Sequence, residues 1–113
     1  MEQTAFTYEA GDRALLVHLP KELDHHNCSI LKCETDLLLE ENYITRIIFD
    51  FGKTEFMDSS GIGVILSRYK QMKLSGGQVA VFGAGPRIMR ILNMGGITRL
   101  VSFYESKDAA MRG

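Results

Sequence analysis

The sequence predicts an α/β fold: a single domain over residues 1–113 with a mixed β-sheet, an antiparallel edge strand at its N-terminal side and helices in the order ββαβαβαβα. Three observations carry this. Runs of β-branched and aromatic residues, Ile47-Ile48-Phe49 and Val79-Ala80-Val81-Phe82, suit strands buried on both faces. Stripes of apolar residues at helical spacing follow them. Glycine, proline and small polar residues punctuate each junction.

Thr4 to Tyr8 alternates as a strand, Gly11-Asp12 reads as a tight turn, and Ala14 to Leu19 is a second strand paired antiparallel to the first. His18 in that run is read as packed or edge-facing. Pro20 breaks the strand. A helix follows, with Asp24 or Asn27 as its cap and an end near Asn42. Its apolar face is read as Ile30, Leu31, Cys33, Leu37 and Leu38, with Lys32, Glu34, Asp36 and Glu40 toward solvent. Thr45 to Phe49 is the third strand, and a central helix runs from about Ser60 to Leu74 before the stop at Gly76-Gly77. After Val79–Phe82, Gly83-Ala84-Gly85-Pro86 opens a third helix with Ile88, Ile91, Leu92 and Met94 inward. Leu100 to Tyr104 is a last strand, and Ser106 to Met111 a terminal helical turn. Strand–helix alternation after the hairpin implies parallel strands with right-handed crossovers. Asp24, the Ser59–Gly63 loop and the Gly83–Pro86 loop then belong to the carboxyl end of the sheet, where sites in open α/β sheets gather.

A net charge of −1 creates no field that calls for nucleic acid or an anionic membrane. No apolar run approaches a membrane span of about 20 residues. The opening Met-Glu-Gln-Thr lacks the basic and apolar regions of a secretory signal, so the cytoplasm is the expected location. Cys28 and Cys33 share one predicted helix and point to different sides of it, which disfavours a disulfide. With His25 and His26 they match no common zinc spacing, so reduced, packed thiols are expected, with no metal or cofactor.

The stretch Phe49 to Gly63 organises the chain. A strand ends in Asp50, and a polar loop delivers Asp58, Ser59 and Ser60 to the start of the central helix, where free backbone N–H groups and the positive end of the helix dipole gather. A serine there can cap the helix, touch an anion or carry a phosphate. Gly61 and Gly63 fall in the first turn, each costing up to about 1 kcal/mol relative to alanine. That cost suggests exposed backbone which a partner or a phosphate approaches closely.

Several motifs fail. Gly83-Ala84-Gly85-Pro86 lacks the third glycine of a dinucleotide loop, and Pro86 removes an amide. Asp58 or Met57 stands where a nucleophile elbow needs glycine, and no histidine offers itself as a base. Asp50 invites comparison with the phosphate-accepting aspartate of receiver domains. The acidic residues that would hold magnesium are replaced by Leu19-Pro20-Lys21-Glu22, so Asp50 is read as a strand-end residue that turns the chain.

Taken together, Glu22-Leu23-Asp24-His25-His26, Asp50-Phe51, Phe56-Met57-Asp58-Ser59-Ser60-Gly61-Ile62-Gly63 and the following Val64 to Lys70 resemble the anti-sigma-factor antagonist family of STAS domains. The resemblance spans nearly the whole chain and is nearest to the branch that acts in sporulation. It implies a non-enzymatic switch, monomeric when free. The unmodified form binds an anti-sigma factor that is also a serine kinase, and so frees a sigma factor. Phosphorylation of Ser59 ends the binding, and a serine phosphatase restores it. Asp24 matches the aspartate of the family's Gly-Glu-Leu-Asp motif, and Lys21 departs from its glycine. Asp24, Asp58, Ser60, Gly61, Ile62, Gly63 and Arg68 are the candidate partner-binding residues, with Arg68, Ser67 and Gln71 placed on the polar side of the central helix. A domain that binds a nucleotide or other anion at Ser59–Gly63 is the alternative.

Overall fold

A computed structural model describes residues 6–113. The predicted start of the first strand at Thr4, and the Met1–Thr4 stretch on which the leader reading rests, lie outside the described residues.

The strands β1 (Thr7–Gly11), β2 (Ala14–His18), β4 (Arg46–Asp50), β6 (Gln78–Phe82) and β7 (Ser102–Tyr104) form a five-stranded sheet in the order β1-β2-β4-β6-β7. β1 is the antiparallel edge, and the remaining pairings are parallel. Two short strands that the sequence reading did not anticipate, β3 (Glu22–Leu23) and β5 (Phe56–Met57), pair in parallel as a separate ladder. The helices are α1 (His25–Glu41), α2 (Ser59–Leu74), α3 (Pro86–Met94) and α4 (Lys107–Arg112), with a 3₁₀ turn at Ile97–Arg99. The hairpin turn falls one residue later than expected. Gly11 pairs with Ala14, and Asp12 and Arg13 carry the positive φ angles, 53° and 65°, that two-residue hairpin loops require.

Alternation along the strands divides the core. Leu15, Val17, Ile47, Phe49, Val79 and Val81 face α1–α3 together with Leu31, Ile65, Ile88 and Leu92. Ala14, Leu16, Ile48, Ala80 and Phe82 face the other way, toward Ala110 of α4. The six-residue α4 covers that second face through Ala110.

Three face assignments are corrected. On α1 the buried residues are Cys28, Leu31 and Thr35, whereas Cys33 and Leu37 are exposed. The face is turned because Thr35 presents its hydroxyl oxygen to Arg68 at 2.6 Å while donating to the Leu31 carbonyl at 2.7 Å. Met94, read as inward, is 82% exposed at the end of α3. Arg68, read as part of a polar surface, is 4% exposed.

Candidate functional site

The β3–β5 ladder builds the site. Register pairs Leu23 with Met57, and the next residue of each strand, Asp24 and Asp58, is the N-cap of the helix that follows. Asp24 Oδ1 accepts from the Asn27 amide at 2.9 Å, and Asp58 Oδ1 accepts from the Ser60 amide at 2.8 Å. The other oxygen of Asp58 accepts from the amide of His25, the first residue of α1, at 3.1 Å. One carboxylate thus satisfies amides of two helices and sits at the positive end of both dipoles.

The two serines of the first turn are unequal. Ser59, the first residue of α2, is exposed, and its hydroxyl makes no hydrogen bond among the described residues. Ser60 is half-buried, and its Oγ lies 3.3 Å from His25 Nδ1. A histidine 35 positions away in the chain thus stands beside one of these serines. The ring beside Ser60 has no carboxylate bonded to its other nitrogen among the described residues, so the third member of a catalytic triad is lacking.

The two glycines also differ. Gly61 is buried, and a Cβ there would stand 2.6 Å from Met57 Sδ and 3.1 Å from Leu23 Cδ2. Its backbone is therefore covered by the β3–β5 ladder, which corrects the expectation that it is left open to a partner. Gly63 is exposed, and a Cβ there would meet nothing within 4 Å. Ile62 is half-buried against the end of α3, where a Cβ on Gly95 would lie 2.9 Å from its side chain.

Arg68 lies between α2 and α1. Its guanidinium donates to the Lys32 carbonyl at 3.0 Å, Thr35 Oγ1 at 2.6 Å and Asp36 Oδ1 at 2.7 Å, and to Gln71 of its own helix at 2.7 Å. The hydrogen bond from Arg68 holds the Asp36 carboxyl below the usual range. Arg68 thus joins the two helices two turns beyond the serines. Between this crosslink and Asp58 runs a groove of about 270 Å³, lined by His25, Cys28, Ser29, Ser60, Gly63 and Arg68 among others. Burial, aided by the charges of Asp58 and Asp24, pushes the Cys28 thiol up to about 11, which keeps it protonated and unreactive. Among the described residues, no cluster of histidine, cysteine and carboxylate side chains has the arrangement of a metal site.

The other loops at this end of the sheet stand apart from the serines. Gly83, with a φ of 76°, packs against Gly52 and Asp50. Asp50 turns the chain as expected, its Oδ1 accepting from the Gly52 amide at 2.8 Å. Its Oδ2 lies 2.6 Å from His18 Nδ1, and the other ring nitrogen of His18 lies 2.6 Å from Glu9 Oε2. Burial alone would lower the His18 pKa, but the hydrogen bonds to Glu9 and Asp50 outweigh it and raise the value. His18 is a strand-tying residue, and the phosphate-accepting role weighed for Asp50 has a bonded imidazole in its place.

The chain is similar to known proteins in sequence and in fold. An anti-sigma F factor antagonist of Paenibacillus polymyxa is 35% identical over 97 residues, covering 86% of this chain and 83% of the relative. The structure of the anti-sigma factor antagonist SpoIIAA in its unphosphorylated form superposes with a TM-score of 0.84 at 26% identity, covering 96% of this chain and 95% of that one. The phosphorylated form of the Bacillus cell fate determinant SpoIIAA superposes with a TM-score of 0.76 at 26% identity, over 96% of this chain and 98% of that one. The STAS domain family matches residues 5–110, and the chain belongs to that family.

Proposed function

We propose that this chain is an anti-sigma-factor antagonist whose unmodified form binds an anti-sigma factor with serine kinase activity, releasing a sigma factor, and whose binding is switched off by phosphorylation of Ser59. The observation that carries the reading is the exposed, unbonded Ser59 hydroxyl at the first position of α2. In the transfer, Ser59 Oγ bonds to the γ-phosphorus of ATP. The bond from that phosphorus to the β–γ bridging oxygen breaks, ADP leaves, and the hydroxyl proton passes to a base of the kinase. The product carries about −1.5 to −2 charges at neutral pH. The helix dipole accommodates it, while Asp58 and Asp24 already make the surface acidic, so the added charge repels a partner fitted to the unmodified face. A serine phosphatase resets the switch.

Likeness to a relative solved in both unphosphorylated and phosphorylated forms supports a phosphate that leaves the fold standing. Asp24, Asp58, Ser60, Ile62 and Gly63 surround Ser59 in this reading, and Arg68 acts from behind them by fixing α1 against α2. The small free domain works as a monomer in the cytoplasm. Anion or nucleotide binding at Ser59–Gly63 fits less well, because the Asp58 carboxylate already occupies the Ser60 and His25 amides.

Incubation with the cognate kinase and ATP, followed by mass mapping, tests the reading. Phosphate on Ser59 is expected; phosphate on Ser60, on Asp50 or nowhere contradicts it. Ser59→Ala binds the anti-sigma factor whether or not ATP is present, and Ser59→Asp binds at least about 100-fold more weakly.

A further inference from the structure

We infer that His25 is a specificity-determining residue which withholds the Ser60 hydroxyl and leaves Ser59 as the acceptor of the pair. The inference rests on the phosphoryl-acceptor reading of Ser59. Neighbouring serines have Cα atoms about 3.8 Å apart, so a kinase that reaches one presents ATP close to the other. Residue type does not separate them, and both lie in the first turn of α2. Their contacts do separate them.

Ser60 belongs to a closed set of three contacts. Asp58 Oδ1 holds its amide at 2.8 Å, Asp58 Oδ2 holds the His25 amide at 3.1 Å, and His25 Nδ1 meets its hydroxyl at 3.3 Å. The imidazole is thereby anchored through its own backbone, and its ring stands at the mouth of the α1–α2 groove into which Ser60 faces. To attack a phosphorus in line, the Ser60 oxygen must leave His25 and turn out of the groove. Among the described residues, Ser59 has no such contact to break.

The Ser59→Ala background reads this most directly. With His25 present, Ser60 takes phosphate only slowly on incubation with kinase and ATP. The double variant Ser59→Ala/His25→Ala gains phosphate on Ser60. One hydrogen bond of ordinary strength sets the gain at about fivefold or more in initial rate. With Ser59 intact, His25→Ala raises the ratio of Ser60 to Ser59 product about fivefold, and His25→Asn, whose side chain again bonds the hydroxyl, lowers it again. The His25 side chain is exposed and its amide contact to Asp58 survives substitution, so circular dichroism of these variants matches the parent. If His25→Ala leaves the rate of phosphate transfer to Ser60 unchanged in both backgrounds while wild type takes phosphate on Ser59, this inference is overturned and the switch stands. If wild type takes no phosphate on Ser59, both are overturned.

Discussion

The N-termini of α2 and α3 each follow a strand, α2 directly after β5 and α3 after the turn Gly83-Ala84-Gly85, yet they are built differently. At α2, Asp58 donates nothing and accepts twice, bonding its own helix and α1, with the exposed Ser59 beside it. At α3, the cap is Gly85, with no side-chain hydrogen bond, and Pro86 fills the first position. The dipoles are alike in kind; the difference lies in the second helix. Two N-termini brought side by side by the β3–β5 ladder make a surface that one carboxylate can organise. A lone N-terminus supplies only backbone geometry, which is what Gly83 serves by packing against Gly52.

The largest test of this contrast removes the crosslink that α1 and α2 share. Arg68→Ala deletes a buried guanidinium together with its hydrogen bonds to Lys32, Thr35, Asp36 and Gln71, so a loss of about 3 kcal/mol is expected in urea denaturation. Asp58→Ala comes next. It uncaps α2 and also takes the acceptor from the His25 amide of α1, and a loss of about 2 kcal/mol is expected, the upper end for a single cap. Gly85→Ser should move the other way. A Cβ there meets nothing within 4 Å, and the new hydroxyl can cap α3, for a gain of a few tenths of a kcal/mol, roughly the serine–glycine difference at this position.

A further test concerns the opposite edge of the sheet end, where His18 ties Glu9 of β1 to Asp50 of β4. The His18 pKa is raised in the folded protein, so its contribution is full below its ordinary value of 6.5 and is lost as pH climbs through the raised value. Glu9 is lowered chiefly by its hydrogen bond to His18, so its share is present above the ordinary 4.5 and is lost as pH falls through the lowered value. The stability difference between wild type and His18→Gln is therefore expected to be greatest between about pH 4.5 and 6.5 and to shrink on the alkaline side. A difference that grows as pH rises above 6.5 would contradict the bridge.

Much of this was legible in the residues. The buried runs at Ile47–Phe49 and Val79–Phe82, the Asp24 cap and the helix start beside Ser59 all follow from local pattern. What escaped was set by tertiary contact. Two-residue strands such as β3 and β5 have no periodicity to detect, yet they decide that Asp24 and Asp58 are neighbours. Arg68 carries a full charge in a helix with polar residues nearby, and only the acceptors on α1 reveal why it is buried. Gly61 and Gly63 look equivalent in sequence, but one is pressed by Met57 and the other faces open space. His25 and Ser60 are 35 positions apart, so nothing local links them.

The central claim is that a phosphate on Ser59 changes the surface and leaves the fold in place. Amide NMR of the domain before and after stoichiometric phosphorylation, with titration of the anti-sigma factor into each form, tests it most directly. The account predicts shift changes confined to the starts of α1 and α2 and the adjoining β3–β5 ladder, together with a loss of affinity of at least about 100-fold. Shifts spread through the sheet and α4, or a phosphorylated domain that binds as tightly as the unmodified one, would contradict it.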